Sequence, residues 1–160
     1  MSSTVKGFTY RDISQRAKPE SGRVVVNPGK TLPASTTGNL FTVTGIVQVT
    51  FLVGVVSTIL QAANVSPTLG VTGLPTAIAA APAAPYNGTA VGGVITMPLT
   101  PGGALPAPVV AQGTANGAIR FVVNAAAITI TTATTVTGAI TWILGYVPLF
   151  PKGAGVVTAV

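Results

Sequence analysis

The chain is 160 residues long, enough for one domain with a substantial core, but it carries only ten charged side chains, and its net charge of +6 is gathered mostly at one end. Cysteine and histidine are absent, and both carboxylates, Asp12 and Glu20, fall within the first twenty positions. After residue 20 these absences exclude disulfides, thiolate or histidine-carboxylate metal sites, paired carboxylates and a Ser-His-Asp triad, and the lopsided charge argues against a continuous basic surface for nucleic acid.

About a quarter of the residues of an ordinary soluble domain are charged. That charge keeps surfaces hydrated and neighbouring molecules apart. Here Lys6, Arg11, Asp12, Arg16, Lys18, Glu20, Arg23 and Lys30 occupy the first thirty positions, and only Arg120 and Lys152 follow. A membrane, a large permanent assembly or a secreted fibre allows such a composition. Glycine and proline together supply 32 residues, which implies many turns. Val, Ile and Thr are abundant and favour strands, because branching at Cβ suits a pleated surface and restricts rotamers in a helix.

Residues 1–22, MSSTVKGFTYRDISQRAKPESG, read as an extended basic arm. Phe8, Tyr10 and Ile13 are apolar anchors among its charges, as expected of a segment that docks on a partner. No secretory leader is expected, since the first apolar run comes only at 24–26, after a charged stretch. Residues 23–27, RVVVN, form a short strand, and Asn27-Pro28-Gly29-Lys30 forms a turn. Residues 40–60 are uncharged and long enough for a transmembrane helix. They read instead as strands at 40–44 and 46–60. Val43, Val47, Val49, Phe51 and Val53 fall mostly on one alternating set, with Thr and Gln between them. Neither an aromatic belt nor a basic cluster flanks the run, and Gly45 and Gly54 mark bends or bulges.

Weak strands are expected near 69–72 and 76–79, in a stretch rich in Ala, Pro and Gly. Asn87-Gly88 signals a type I′ hairpin turn. A strand at 93–99 leads into the proline-rich loop 98–108, which cannot sit inside a sheet. Further strands fall at 119–123, 127–131, 138–147 and 155–160. The expectation is an all-β domain over 23–160, a β-sandwich or barrel of about eight to ten short antiparallel strands, preceded by the extended N-terminal arm.

Little chemistry is available to that domain. A Ser or Thr nucleophile would have only Lys152 as a base. The glycine-rich pieces at 70–73 and 100–103 lack the Lys-Ser/Thr of a phosphate-binding loop. No catalytic residue, cofactor or metal is expected. Asn64-Val65-Ser66 and Asn87-Gly88-Thr89 match the glycosylation sequon, but turn chemistry accounts for them without a secretory leader. Arg120, flanked by Ile119 and Phe121, is either an exposed strand position or an inter-subunit contact. Trp142 and Tyr146 share one side of a strand and form either core or an aromatic interface.

Three stretches, TTGNLFTVTG at 36–45, VGVVST at 53–58 and TGAITWILGYVPL at 137–149, together with the arm, resemble small structural proteins of tailed-bacteriophage virions, most closely the head-decoration (cement) proteins. The resemblance implies a non-enzymatic protein on the outer surface of the capsid that binds the major capsid protein and bridges its subunits. It also implies self-association, most often as a homotrimer, with neither nucleic acid nor membrane as a direct partner. On this reading Lys6, Phe8, Tyr10, Arg11, Ile13, Arg16 and Lys18 of the arm meet the partner, and Arg120, Trp142 and Tyr146 meet neighbouring subunits. A tail-tube, minor tail or fibre protein is the alternative within the virion. A small holin-like membrane protein, resting on 40–60, and a carbohydrate-binding sandwich are the alternatives outside it.

Overall fold

A computed structural model describes residues 22–61, 65–109, 120–149 and 155–160. Nine strands are found there: β1 (Arg23–Thr31), β2 (Thr37–Thr44), β3 (Ile46–Thr58), β4 (Thr68–Val71), β5 (Val94–Ile95), β6 (Phe121–Asn124), β7 (Ala127–Thr131), β8 (Ala139–Pro148) and β9 (Val156–Ala159). All the strand pairs are antiparallel, and no helix occurs among the described residues. The first sheet runs β1-β8-β3, with β6 and β5 both on the far edge of β3, and the second runs β4-β7-β2-β9. The two sheets pack as a β-sandwich, the all-β fold the alternation predicts. The stretch 40–60 is β-structure from β2 through β3, and no described helix is long and apolar enough to cross a membrane.

The chain path has a simple logic. Segment 23–58 supplies β1, β2 and β3, and segment 121–148 supplies β6, β7 and β8. They pair in reverse order, β1 with β8, β2 with β7 and β3 with β6, as one long ribbon that passes between the sheets twice. At one crossing Gly45 (φ 73°) and Ala125 (φ 43°) turn together, and the Ala125 N–H donates to the Gly45 carbonyl at 2.8 Å. At the other, the Ser35 N–H donates to Thr134 O at 3.2 Å, the Thr132 N–H donates to Thr36 O at 3.1 Å, and the Thr132 hydroxyl donates to Pro33 O. Backbone groups that leave a ladder where strands change sheets must find other partners. Here each strand of the ribbon supplies them to the other.

Inward-facing side chains form one core. Leu40, Phe41, Val47, Val49, Leu52, Ile128, Ile130, Ile140, Trp142 and Leu144 are all buried within it. Each fully buried aliphatic or aromatic side chain is worth about 1.5–3 kcal/mol relative to exposure, an upper figure given residual burial in the unfolded chain. Asn27 latches the two sheets where their edges meet. Its side-chain amide donates to Leu40 O at 2.7 Å and to Val160 O at 3.1 Å, from β1 to β2 and to the residue after β9.

Several local expectations change in the fold. Asn27-Pro28-Gly29-Lys30 does not reverse the chain. Asn27 pairs with Trp142 and Lys30 with Ile140, so one extra residue is accommodated as a bulge, with Gly29 at φ 55°. Gly54 is not a bend. It is a regular strand position opposite Trp142, and a Cβ there would stand 3.0 Å from the indole and from Ile140, so glycine makes room for the ring. The irregularities of β3 lie at Thr50, where Val49 pairs with Tyr146 and Phe51 with Gly145, and at Ser57, where Val56 pairs with Ile140 and Thr58 with Ala139. Asn87-Gly88 turns, but Gly88 alone of the pair has positive φ, and neither flank is a strand, so the type I′ hairpin is not formed. The Asn87 side chain instead accepts the Val65 N–H at 2.9 Å. The strand expected at 93–99 shrinks to Val94–Ile95, and 76–79 contributes only a bridge from Ala79 to Leu69.

Gly138 has φ 117°, and a Cβ there would sit 2.7 Å from the Ile59 carbonyl oxygen. Gly138→Ala is expected to destabilise the fold by about 2 kcal/mol or more, seen as a lower denaturant midpoint at unchanged slope. Gly88→Ala, at φ 71° in open space, is expected to cost about 1 kcal/mol.

Candidate interaction surface

Because β8 alternates, Ile140, Trp142, Leu144 and Tyr146 point inward and Thr141, Ile143 and Val147 point outward. Trp142 is 1 % exposed and Tyr146 3 % exposed, inside their own sandwich. The inter-subunit role considered for both is therefore corrected: they are core, held there by the inward phase of β8 and by the space over Gly54. The Trp142 indole N–H has no hydrogen-bond partner among the described residues. Arg120 lies exposed just before β6, a position open to a neighbour. The arm residues Lys6, Phe8, Tyr10, Arg11, Ile13, Arg16 and Lys18, and also Lys152, lie outside the described residues.

Among the described residues the only ionisable groups besides tyrosine are Arg23, Lys30 and Arg120, and no cluster of His, Cys, Asp or Glu could hold a metal. The Lys30 amine donates to Val160 O at 2.7 Å, beside the Asn27 latch. Surface hollows are present among the described residues. One of about 370 Å³ is lined by Ser57, Thr58, Gln61 and Thr137 among others, and the Thr137 hydroxyl already donates to Gln61 O. Another, about 460 Å³, lies against the proline-rich loop and is lined by Met97, Leu99, Pro106 and Val109 among others. Among the described residues lining them there is no acid, base or cation.

Tyr86 organises the loop region. Its hydroxyl donates to Pro106 O at 2.6 Å, its N–H donates to Val65 O at 2.8 Å, and its carbonyl accepts the Thr89 hydroxyl at 2.9 Å. Burial of the phenol pushes its pKa well above the ordinary value.

The outer faces of the two sheets differ in chemistry. The second sheet presents hydroxyls. Thr68, Thr131 and Thr37 stand in a row across β4, β7 and β2, the last two hydrogen-bonded at 2.7 Å. Thr42 and Thr158 pair across β2 and β9, and the Thr44 hydroxyl donates to Val156 O. The first sheet presents hydrocarbon: Val24 and Val26 on β1, Ile143 on β8, Phe51, Val53 and Val55 on β3, and Val122 on β6. Val24, Val26 and Val122 are 59 %, 48 % and 52 % exposed.

The alternating set read from the sequence does not stay on one side. The bulge at Thr50 reverses the phase, so Val47 and Val49 face the core while Phe51 and Val53 face outward and Leu52 and Val56 take the inner positions. The one signal that pointed to an apolar outer face was compositional: a strand with branched apolar residues on both sides, VVV at 24–26 and FLV at 51–53, has more hydrocarbon than one core can take. Comparisons with protein-family models, curated proteins and solved structures returned no match.

Tyr86 stays protonated at pH values where an ordinary phenol, with pKa about 10, is ionised. The unfolded chain therefore releases that proton first, and stability is expected to fall as pH rises above about 10. Tyr86→Phe is expected to lose about 1 kcal/mol at neutral pH, with the lost hydrogen bond, and to show a shallower fall above pH 10 than the parent. Denaturant midpoints between about pH 8 and 11 check both statements.

Proposed function

We propose that the chain is a non-enzymatic structural protein of a virion, a decoration protein that binds the outer surface of a phage capsid, bridges major capsid protein subunits and self-associates there. The observation that carries this reading is the combination of a charge-free hydrocarbon face on the first sheet with a described domain that contains no acid, no histidine and no cysteine. Monomeric proteins seldom expose large contiguous apolar patches, and those that do usually dock something there. A domain fixed among permanent neighbours needs little charge of its own, because the neighbours cover what charge would otherwise keep wet. The resemblance of 36–45, 53–58 and 137–149 to virion proteins supplies the particular assembly. A tail-tube, minor tail or fibre protein would have the same surface chemistry. Copy number relative to the major capsid protein in purified particles separates these readings, since a decoration protein is present in numbers comparable to the shell subunits.

In this reading the basic arm, 1–22, is the tether to the shell. Phe8, Tyr10 and Ile13 supply apolar contacts, while Lys6, Arg11, Arg16 and Lys18 supply salt-sensitive ones. Ordering such a segment costs about 1–2 kcal/mol per residue, which a partner surface must offset. A chain beginning at Arg23 is expected to bind undecorated shells more weakly than the full chain, with the deficit larger at low salt than at high salt. Equal binding by both chains at both salt concentrations would remove the arm from the mechanism.

A further inference from the structure

We propose that the outer face of the first sheet is the surface by which copies of this chain pack on one another. This deepens the self-association in the reading above and rests on it.

The face is built to be flat and mostly apolar. Phe51 lies over Gly145 of β8, where any Cβ would overlap its ring, so the aromatic ring packs down on the sheet. Around it stand Val24, Val26, Val53, Ile143 and Val122, with no charged residue among them. The cations of this sheet sit at its rim: Arg23 opens β1, and Lys30 lies near its other end with its amine turned to Val160 O. An apolar centre with a polar edge is the arrangement of a protein–protein contact.

Size agrees. With strands of 9, 10 and 13 residues and β6 and β5 adding 4 and 2 at the fourth position, the face measures roughly 600 Å², at the lower end of what each partner contributes to a stable interface. The choice of occupant follows from chemistry. The polar groups of the face are few, Gln48 beside Val122 and Val147 and Thr141 beside Val55, and no charge stands among them, so it offers little to an acidic or basic partner and matches a surface as apolar as itself. A second copy carries that surface, and sheets packed face to face about 10 Å apart interdigitate such side chains. By contrast, the hydroxyls of the second sheet already bond to one another and to its backbone, so that face keeps its contact with water.

The test uses the full chain in size-exclusion chromatography with light scattering at micromolar concentration. Val26→Lys and Phe51→Glu each place a charge at an exposed position, and Thr42→Lys is the control on the second sheet. Circular dichroism and the denaturant midpoint verify that each variant is folded. The parent is expected to elute at a multiple of 15.8 kDa. Thr42→Lys should match it, and both first-sheet variants should fall to the single-chain mass with self-affinity weakened about 100-fold or more. A parent already at the single-chain mass, or folded first-sheet variants that keep the parent's mass, would overturn the proposal. So would dissociation by Thr42→Lys, or by replacing Phe8, Tyr10 and Ile13 with Ser, which would make the arm the occupant. Co-sedimentation of the parent with neutral lipid vesicles, lost in both first-sheet variants, would make lipid the occupant and overturn it too. Shell binding separates the two readings: a parent that assembles through this face but ignores capsids defeats the virion assignment alone, while capsid binding by a parent that is monomeric in solution defeats this proposal alone.

Discussion

The hydrogen bond from the Ala125 N–H to the Gly45 carbonyl, 2.8 Å long, is the constraint on which this sandwich turns. Both residues have positive φ, and both stand where their strand leaves one sheet for the other. Glycine takes that conformation freely, whereas alanine takes it against a steric cost of about 1–2 kcal/mol. The arrangement holds because the two chains make the crossing together, each meeting polar groups the other would leave bare. The ribbon on either side of it pairs β1 on β8, β2 on β7 and β3 on β6, with further bulges adjusting the register between Asn39 and Phe41 and between Asn27 and Lys30. The pairing joins segments about a hundred residues apart. Loop closure must therefore precede most of the stabilising contacts, a topology associated with slow folding.

Register also decides what the protein shows to its surroundings. The extra residue at Thr50 reverses the alternation of β3, so one strand buries Val47 and Val49 before the bulge and Leu52 and Val56 after it. Phe51 and Val53 are thereby turned outward. Gly54 and Gly145 act as complementary spaces on the two sides of the sheet, one under Trp142 in the core and the other under Phe51 outside. The aromatic rings thus occupy gaps left by glycine.

The outer surfaces divide the labour. Threonine satisfies its hydroxyl against a neighbouring threonine or a carbonyl across the second sheet, so that surface is wettable without charge. Hydrocarbon on the first sheet has no such recourse, and in the proposed reading association covers it. The proline-rich loop is held by backbone bonds to Ile78, Ala80 and Val94 and by the buried phenol at Pro106 O, which makes Tyr86 structural despite its hydroxyl.

The sequence by itself determined the fold class and most of the strands. Branched residues in alternation and glycine or proline punctuation are local properties, and local sterics is enough to make 127–131 and 138–147 strands and to keep 98–108 out of the sheets. It also determined which side-chain chemistry the domain has to work with, since no carboxylate side chain, histidine or cysteine follows residue 20. Tertiary structure alone decided which side of a strand is inside. Trp142 and Phe51 look alike in an alternating run, yet one is core and the other surface, because a bulge is a relation between two strands and leaves no mark on either one. The same reason turned Asn27-Pro28-Gly29-Lys30 from a turn into a bulge and made Asn27 a latch between sheets: its partners, Leu40 and Val160, are brought to it only when the sandwich closes.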